Sequence, residues 1–366
     1  MRLVYLSPIP WNSFAQRPHK FAHWFHSRTG GAVLWVDPYP TRFPNLGDLR
    51  RLAFAASPSK QSNPPRWLKV LKPGGLPIEP MIGSGSVNSF LWRRSLGVID
   101  GFTERHKCIL AIGKPSVFAL RVLELLSDCS SLYDAMDDFP AFYSGFSRFA
   151  LMRREREVAQ RVGIILASSS SLKAKWASSH GDVRLVHNAL DALAIRRAVS
   201  VSKRSKKKIF GYVGTIASWF DWEWVCALAE ERPDDEIRLI GPLFKSPSRK
   251  LPDNISLLPE CSHEEAIDAM VEFSVGLIPF KIDKITASVD PIKYYEYRAL
   301  GLPVISTDFG EMSLRVGTYG LFISKSTHDL AVLAESAACF ISRADDASGF
   351  LDENTWSARF DAAMLL

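Results

Sequence analysis

Short, largely apolar runs recur along the chain and are separated by longer stretches of helical periodicity. In the first half they are RLVYL (2 to 6), AVLWV (32 to 36), CILAI (108 to 112), SLYDA (131 to 135) and GIILAS (163 to 168). The second half continues with KIFGYVG (208 to 214), EIRLIG (236 to 241), ISLLP (255 to 259), VGLIPF (275 to 280), PVIST (303 to 307) and GLFIS (320 to 324). Runs of this length without polar alternation are strands covered on both faces. The intervening segments, such as WEWVCALAEERP and SHEEAIDAMVEF, have the length and pattern of crossover helices. Each half therefore predicts a parallel sheet of the α/β class.

At 366 residues the chain is too long for one ordinary core. The strand–helix alternation breaks after residue 190 into IRRAVSVSKRSKKK, poor in bulky apolar residues and rich in lysine. The expected organisation is two doubly wound, Rossmann-like domains facing each other across a cleft. The first spans residues 1–198, a basic linker 199–208, the second domain 209–345, and a C-terminal segment, 346–366, packs back toward the first domain. Residues 57 to 90, rich in Pro, Gly and Ser, read as an excursion with little regular structure.

Composition narrows the class. With 47% apolar and 23% charged residues the chain is globular, neither disordered nor fibrous. The net charge of +6, with clusters at RRERE (153 to 157) and KRSKKK (203 to 208), suits anionic lipid, a phosphorylated ligand or a solvated face. No aromatic-basic RNA-binding signature or zinc finger accompanies it, so no nucleic-acid partner is expected. The five cysteines form no Cys-x-x-Cys pair, which predicts neither a disulfide framework nor structural zinc and suits a reducing cytoplasm. The start, MRLVYLSPIPW, reads as a strand and not as a signal peptide, and no apolar stretch reaches about 18 residues, so a soluble or peripheral protein is expected.

The segment DPIKYYEYRALG (290 to 301) carries the most chemistry. Asp290 is placed to cap a helix, Pro291 suits its first turn and Gly301 its exit. Lys293 and Glu296 then share one face, with Ile292, Ala299 and Leu300 inward. A helix amino terminus reinforced by a lysine is a phosphate site, and a carboxylate one turn deeper accepts hydrogen bonds from ribose hydroxyls. Spacing alone describes a surface Lys–Glu pair equally well.

The pattern P-x-K-x-x-E-Y-x-x-x-G-x-P-V, present as Pro291, Lys293, Glu296, Tyr297, Gly301, Pro303 and Val304, resembles the donor-binding motif of GT-B fold glycosyltransferases of the group 1 type, found in bacterial polysaccharide assembly. GYVGTIASWF, IRLIGP and NISLLP are similar to the family's donor-domain strands. PIPWNSFAQRPHKFAHWF, YDAMDDF, ILASSSSLKAKW and VHNALDA resemble pieces of its acceptor domain. The resemblance implies a nucleotide-diphosphate sugar as donor, held by Gly214, Thr215, Pro291, Lys293, Tyr294 and Glu296. It implies no metal and no cofactor besides the donor, and a glycan or lipid-linked acceptor on the first domain. Two departures stand out. The acid that many retaining members carry eight residues before Glu296 is Ser288 here, and GTIASWF lacks the usual Arg and Lys, leaving Lys293, Lys281 or Lys284 to neutralise the leaving phosphate.

An inverting transfer needs a carboxylate base, and YDAMDDF puts Asp134, Asp137 and Asp138 at the end of a strand; Asp137 or Asp138 is the expected base. Such acids also cap helices or bind metal. Arg17 and His19, near the end of the first strand, are candidates for the acceptor or phosphate side. His19, His23 and His26 share a helical face that lines polar surroundings or, less readily, an ion. RWLKVLK (66 to 72) and FLWRRSLG (90 to 97) suit contact with an anionic membrane. A nucleotide-sugar epimerase and a non-catalytic binding subunit remain as alternative readings.

Overall fold

The computed structural model describes residues 1–39, 41, 63–76, 78–79, 81, 83–199 and 207–366. The basic run 203 to 206 and most of the 199–208 linker lie outside them, as does 42–62. Contacts divide the chain into two compact units, Met1–Val186 and His187–Leu366.

The first unit is a seven-stranded, all-parallel sheet in the order β3-β2-β1-β4-β5-β6-β7. Its strands are β1 (Arg2–Leu6), β2 (Ala32–Val36), β3 (Leu68–Leu71), β4 (Cys108–Ile112), β5 (Ser130–Ala135), β6 (Ile164–Ala167) and β7 (Val183–Leu185). Because side chains alternate along a strand, one face gathers Val4, Leu34, Leu110, Tyr133 and Ile165. Against it lie helices α2 (Ser84–Thr103), α3 (Val117–Leu125), α4 (Gly145–Ala159) and α5 (Ser170–Ala177). On the opposite face Tyr5 stacks on Trp35 and meets Phe21 of helix α1 (Arg17–Thr29).

The second unit is a six-stranded parallel sheet in the order β10-β9-β8-β11-β12-β13. Here β8 is Ile209–Val213, β9 Glu236–Ile240, β10 Ile255–Leu258, β11 Val275–Ile278, β12 Val304–Thr307 and β13 Leu321–Ser324. One face is covered by α6 (Ala192–Val199), α8 (His263–Val271), α9 (Ile292–Ala299) and α12 (Ala344–Glu353). The other is covered by α7 (Trp222–Glu231) and α11 (Leu330–Ala338). The short α10 (Gly310–Ser313) and the last helix, α13 (Trp356–Ala362), complete the unit; a bridge between Leu190 and Thr355 ties its first and last segments. Helix α6 contributes Ile195 and Ala198 to this core, so residues 187–199 belong with the second unit by packing.

All eleven apolar runs are strands. Two strands were not legible. LKVL extends the sheet beyond β2 as β3, where the edge position tolerates an exposed Lys69. VRL is a three-residue edge strand whose pattern is too short to register. The excursion read across 57 to 90 therefore contains a strand and the first turns of a 20-residue helix, anchored by the fully buried Trp92.

Helix α9 is drawn close to the sheet. Cβ atoms built at Gly211 and Gly276 would fall 2.1 Å from the Phe273 ring and 2.4 Å from the Tyr297 ring, so these glycines make room for aromatic side chains pressed on the strands. The Tyr297 hydroxyl accepts the Val213 N–H at 3.1 Å, fixing the helix to β8. At the other end Asp290 does not cap the helix as its position suggests; Pro291 is the cap residue. The fully buried Asp290 carboxylate instead accepts from the Asn188 N–H (2.7 Å), the Tyr295 hydroxyl (2.9 Å) and Arg315 Nη2 (2.8 Å). Burial would raise its pKa, yet His187 and Arg315 hold it below the usual aspartate range. Its contribution to stability is thus full above about pH 4 and is lost as pH falls through the lower folded value. Asp290→Asn leaves Arg315 uncompensated, and urea unfolding of the second unit at pH 7 is expected to show a loss of about 3 kcal/mol that shrinks on acidification.

Candidate active site

In an open parallel sheet, ligands bind beyond the carboxyl ends of the strands, where the winding direction reverses. In the second unit that point lies between β8 and β11. Gly214 and Thr215 follow β8, and a Cβ at Gly241, after β9, would sit 2.1 Å from the Gly214 carbonyl oxygen, so these two turns meet backbone to backbone. The Asp221 N–H donates to the Pro279 carbonyl (2.8 Å) and the Lys281 N–H to that of Trp219 (2.7 Å). The GTIASWF turn therefore lies along the segment leaving β11. Beside them a cavity of about 510 Å³ opens, walled by Ile216, Gly241, Pro242, Phe244, Leu257 and Glu260.

Three residues after Glu260, His263 reaches α9. Its Nε2 donates to Glu296 Oε1 at 3.0 Å, while Lys293 Nζ donates to Oε2 at 2.5 Å. The Glu296 side chain is 4% exposed. Burial alone would raise its pKa, but the charge of Lys293 and the hydrogen bonds from His263 and Lys293 outweigh it and hold the carboxylate ionised below the usual range. The expected shared face of Lys293 and Glu296 is formed, with a partner that sequence reasoning missed. A signal for His263 was present: Ser262 and Glu265 form a capping box, which starts α8 and puts residue 263 in its first turn beyond β10.

The other expected donor residues divide. Pro291 stands at the cap of α9. Tyr294 is 3% exposed, packed edge-on to Tyr295 and Phe350 with Arg315 over its ring at 4.5 Å, so it serves the core and presents no surface to a donor. Ser288 is buried, and its hydroxyl has no hydrogen-bond partner among the described residues. Lys281 is half-buried and Lys284 exposed.

In the first unit the three aspartates at the end of β5 have three different fates. Asp134 is fully buried between the Tyr5 hydroxyl (2.9 Å) and Arg17 Nε (2.9 Å), and Arg17 also donates to the Val186 carbonyl (2.6 Å). The guanidinium expected on the acceptor or phosphate side is thereby turned to an interior ion pair. His19 is buried too, accepting from the Gln16 N–H and donating to the Trp11 carbonyl. Burial lowers its pKa and keeps it neutral. His26 stacks on Trp67 with ring centroids 4.4 Å apart, and His23 meets the same ring edge-on at 5.0 Å.

Asp138 pairs with Lys175 at 2.8 Å. Asp137 makes no hydrogen bond or ion pair among the described residues and keeps part of its surface exposed. Burial of the carboxyl, opposed by Arg17 and reinforced by Asp134 and Asp138, pushes it up to about 7. A raised acid pKa means the charged form is disfavoured in the fold, so stability is lost as pH climbs from about 4 through about 7. Two outcomes are expected. In carboxyl-labelled NMR spectra Asp137 titrates near neutrality and moves to lower pH in Asp138→Asn, and Asp137→Asn is more resistant to unfolding than the wild type at pH 8 but not at pH 4.

No protein-family model matches the chain. A putative teichuronic acid biosynthesis glycosyltransferase, TuaH, of Bacillus subtilis (strain 168) is 23% identical over 227 residues, covering 58% of this chain and 57% of that protein. Solved structures align over nearly the whole length. They include an alpha,alpha-trehalose-phosphate synthase (UDP-forming) from Burkholderia vietnamiensis, with TM-score 0.64, 12% identity, and coverage of 99% of this chain and 96% of that one. AviGT4, a glycosyltransferase involved in avilamycin A biosynthesis, has TM-score 0.61 at 11% identity over 99% of this chain and 96% of its own. A trehalose-6-phosphate structure from E. coli bound with UDP-2-fluoro glucose has TM-score 0.64 at 9% identity over 100% and 99%. Two parallel doubly wound sheets in tandem, matched end to end by such structures, give this chain the GT-B glycosyltransferase fold.

Proposed function

We propose that the chain is a glycosyltransferase of bacterial surface polysaccharide assembly, moving a sugar from a nucleotide-diphosphate sugar to a glycan or lipid-linked acceptor. The observation that carries the reading is the buried Glu296 carboxylate, held ionised by Lys293 and His263, in a unit whose strand ends open an apolar cavity. The base of the nucleotide fits the cavity, the ribose diol exchanges for the hydrogen bonds of Glu296, and Lys293 swings to the diphosphate as α9 offers its amino terminus. The TuaH likeness supports the polysaccharide setting.

On this reading the first unit holds the acceptor and the base. The acceptor hydroxyl gives its proton to Asp137 as its oxygen bonds to the anomeric carbon. The bond to the donor phosphate breaks, and the nucleoside diphosphate leaves with its charge matched by Lys293. The stereochemical outcome would be inversion. No metal enters the step, the charge being met by lysines and a helix terminus.

Calorimetry with UDP, GDP, CDP and dTDP is expected to find one nucleotide that binds, weakened at least about tenfold by Lys293→Ala and by Glu296→Ala. Asp137→Asn should leave that affinity unchanged and lower transfer by about 100-fold or more, and the wild-type rate should rise with pH through about 7 as Asp137 ionises. Retention of anomeric configuration in the product would remove Asp137 from the mechanism. Conversion of the free donor without acceptor would indicate an epimerase, and binding without turnover a non-catalytic subunit.

The lipid side of the reading rests on helix α2. Among the described residues no helix is long and apolar enough to cross a membrane. Trp67 and Trp92, in the two stretches expected at a membrane, are committed to the fold. Val87, Phe90 and Leu91 are 53%, 68% and 44% exposed beside exposed Arg93 and Arg94, a combination suited to an anionic bilayer surface. Partition onto phosphatidylserine vesicles is expected to drop about tenfold or more in Arg93→Gln/Arg94→Gln; unchanged partition would remove the membrane from the proposal.

A further inference from the structure

A groove of about 400 Å³ lies between helices α4 and α5 of the first unit, beside Asp138. On α4 it is lined by Arg148, Met152, Glu155 and Arg156, residues that fall on one helical stripe. A stripe facing a neighbouring helix is ordinarily apolar and filled. Here Arg148, Glu155 and Arg156 stand among Met152 and Ala159, and the space is open.

The floor is built. The Glu155 side chain is 2% exposed and accepts from the Tyr133 hydroxyl and from Lys175 Nζ, each at 2.8 Å, while Lys175 also reaches Asp138. Next to it Trp176, 3% exposed, lines the groove with an indole N–H that is buried and has no acceptor among the described residues. An acceptor oxygen entering the groove could satisfy that donor.

The walls add charge. Arg121, Arg153, Arg154 and Arg161, on the same side of the sheet, all pair with Glu124 or Glu157. Arg148 and Arg156 are exposed and have no ion pair among the described residues, and they are the arginines that line the groove. The groove thus holds donors in excess of acceptors. From Arg148 to Arg156 the helix rises by about 12 Å, the reach of more than one sugar ring.

We infer that this groove binds an anionic, oxygen-rich saccharide segment, carboxylated or phosphorylated, whose charges pair with Arg148 and Arg156 and whose oxygens meet the Trp176 N–H. The inference rests on the glycosyltransferase reading only in naming the occupant as the acceptor, since Asp138, at the groove's edge, adjoins the base Asp137 in sequence. The segment of acceptor beyond the reacting sugar would lie here, and an acidic glycan would be selected over a neutral one.

The test needs no donor and no turnover, so its failure is separable from failure of the nucleotide-binding experiment. Trigalacturonic acid, maltotriose, glucose 6-phosphate and inorganic phosphate are titrated calorimetrically into the full chain. Trigalacturonic acid or glucose 6-phosphate is expected to bind, more tightly than maltotriose and inorganic phosphate, and the stronger of the two identifies the anion as carboxylate or phosphate. That affinity should fall at least tenfold in Arg148→Gln/Arg156→Gln and several-fold in Trp176→Phe, which keeps the ring, and remain in Lys293→Ala. Unchanged affinity in the arginine variant, maltotriose or inorganic phosphate bound as tightly as the acidic sugars, or no binding by either acidic sugar at millimolar concentration would each overturn the inference.

Discussion

One buried carboxylate holds the second unit's working parts in register. Asp290 takes hydrogen bonds from the first residues of the unit through Asn188, from α9 through Tyr295, and from the segment after β12 through Arg315. Arg315 in turn lies over the rings of Tyr294 and Tyr295. Tyr294 is a candidate for donor contact in the sequence, yet its ring, with that of Tyr295, seats the charge that fixes the start of α9. The position of Lys293 and Glu296 therefore depends on buried residues that hold the start of α9. A buried ion pair of this kind adds little net stability over an apolar replacement, and here it ties the start of α9 to Asn188 and to the segment carrying Arg315.

How far the sequence discloses this follows from the range over which each signal acts. Buried strands announce themselves locally, because both faces demand apolar side chains, and every such run proved to be a strand. Edge strands carry half the demand, and β3 with its exposed lysine and β7 with three residues fell below it. The doubly wound class follows from alternation, and with it the place of Asp137 just past the end of β5; Gly214 and Lys293 are singled out by the resemblance and by the helix start.

Pairing between distant residues is a different matter. Nothing near residue 17 says that its guanidinium will be consumed by Asp134, 117 residues away, and nothing near 296 names His263 as its partner. Asp290 is the clearest case. Its place before a proline and a helix is that of a cap, but a carboxylate with three stronger donors within reach goes to them, and Pro291 takes the cap position with no side-chain bond. Local rules describe what a residue does in the absence of tertiary competition, and the residues most strongly held in this protein are those for which competition decided.

The same competition sorts the three aspartates of YDAMDDF. Asp134 meets Arg17 and Tyr5, Asp138 meets Lys175, and both charges are answered within the fold. Asp137 has no donor of its own among the described residues, and burial, reinforced by the carboxylates of Asp134 and Asp138, pushes it up to about 7. A fold selected for stability alone would have supplied a donor, since a cation for each aspartate is already the local habit. Leaving one carboxylate unanswered at a strand end, poised to exchange a proton near neutrality, is the arrangement that a base requires. Its cost to the folded state is the reason to look for its use in chemistry.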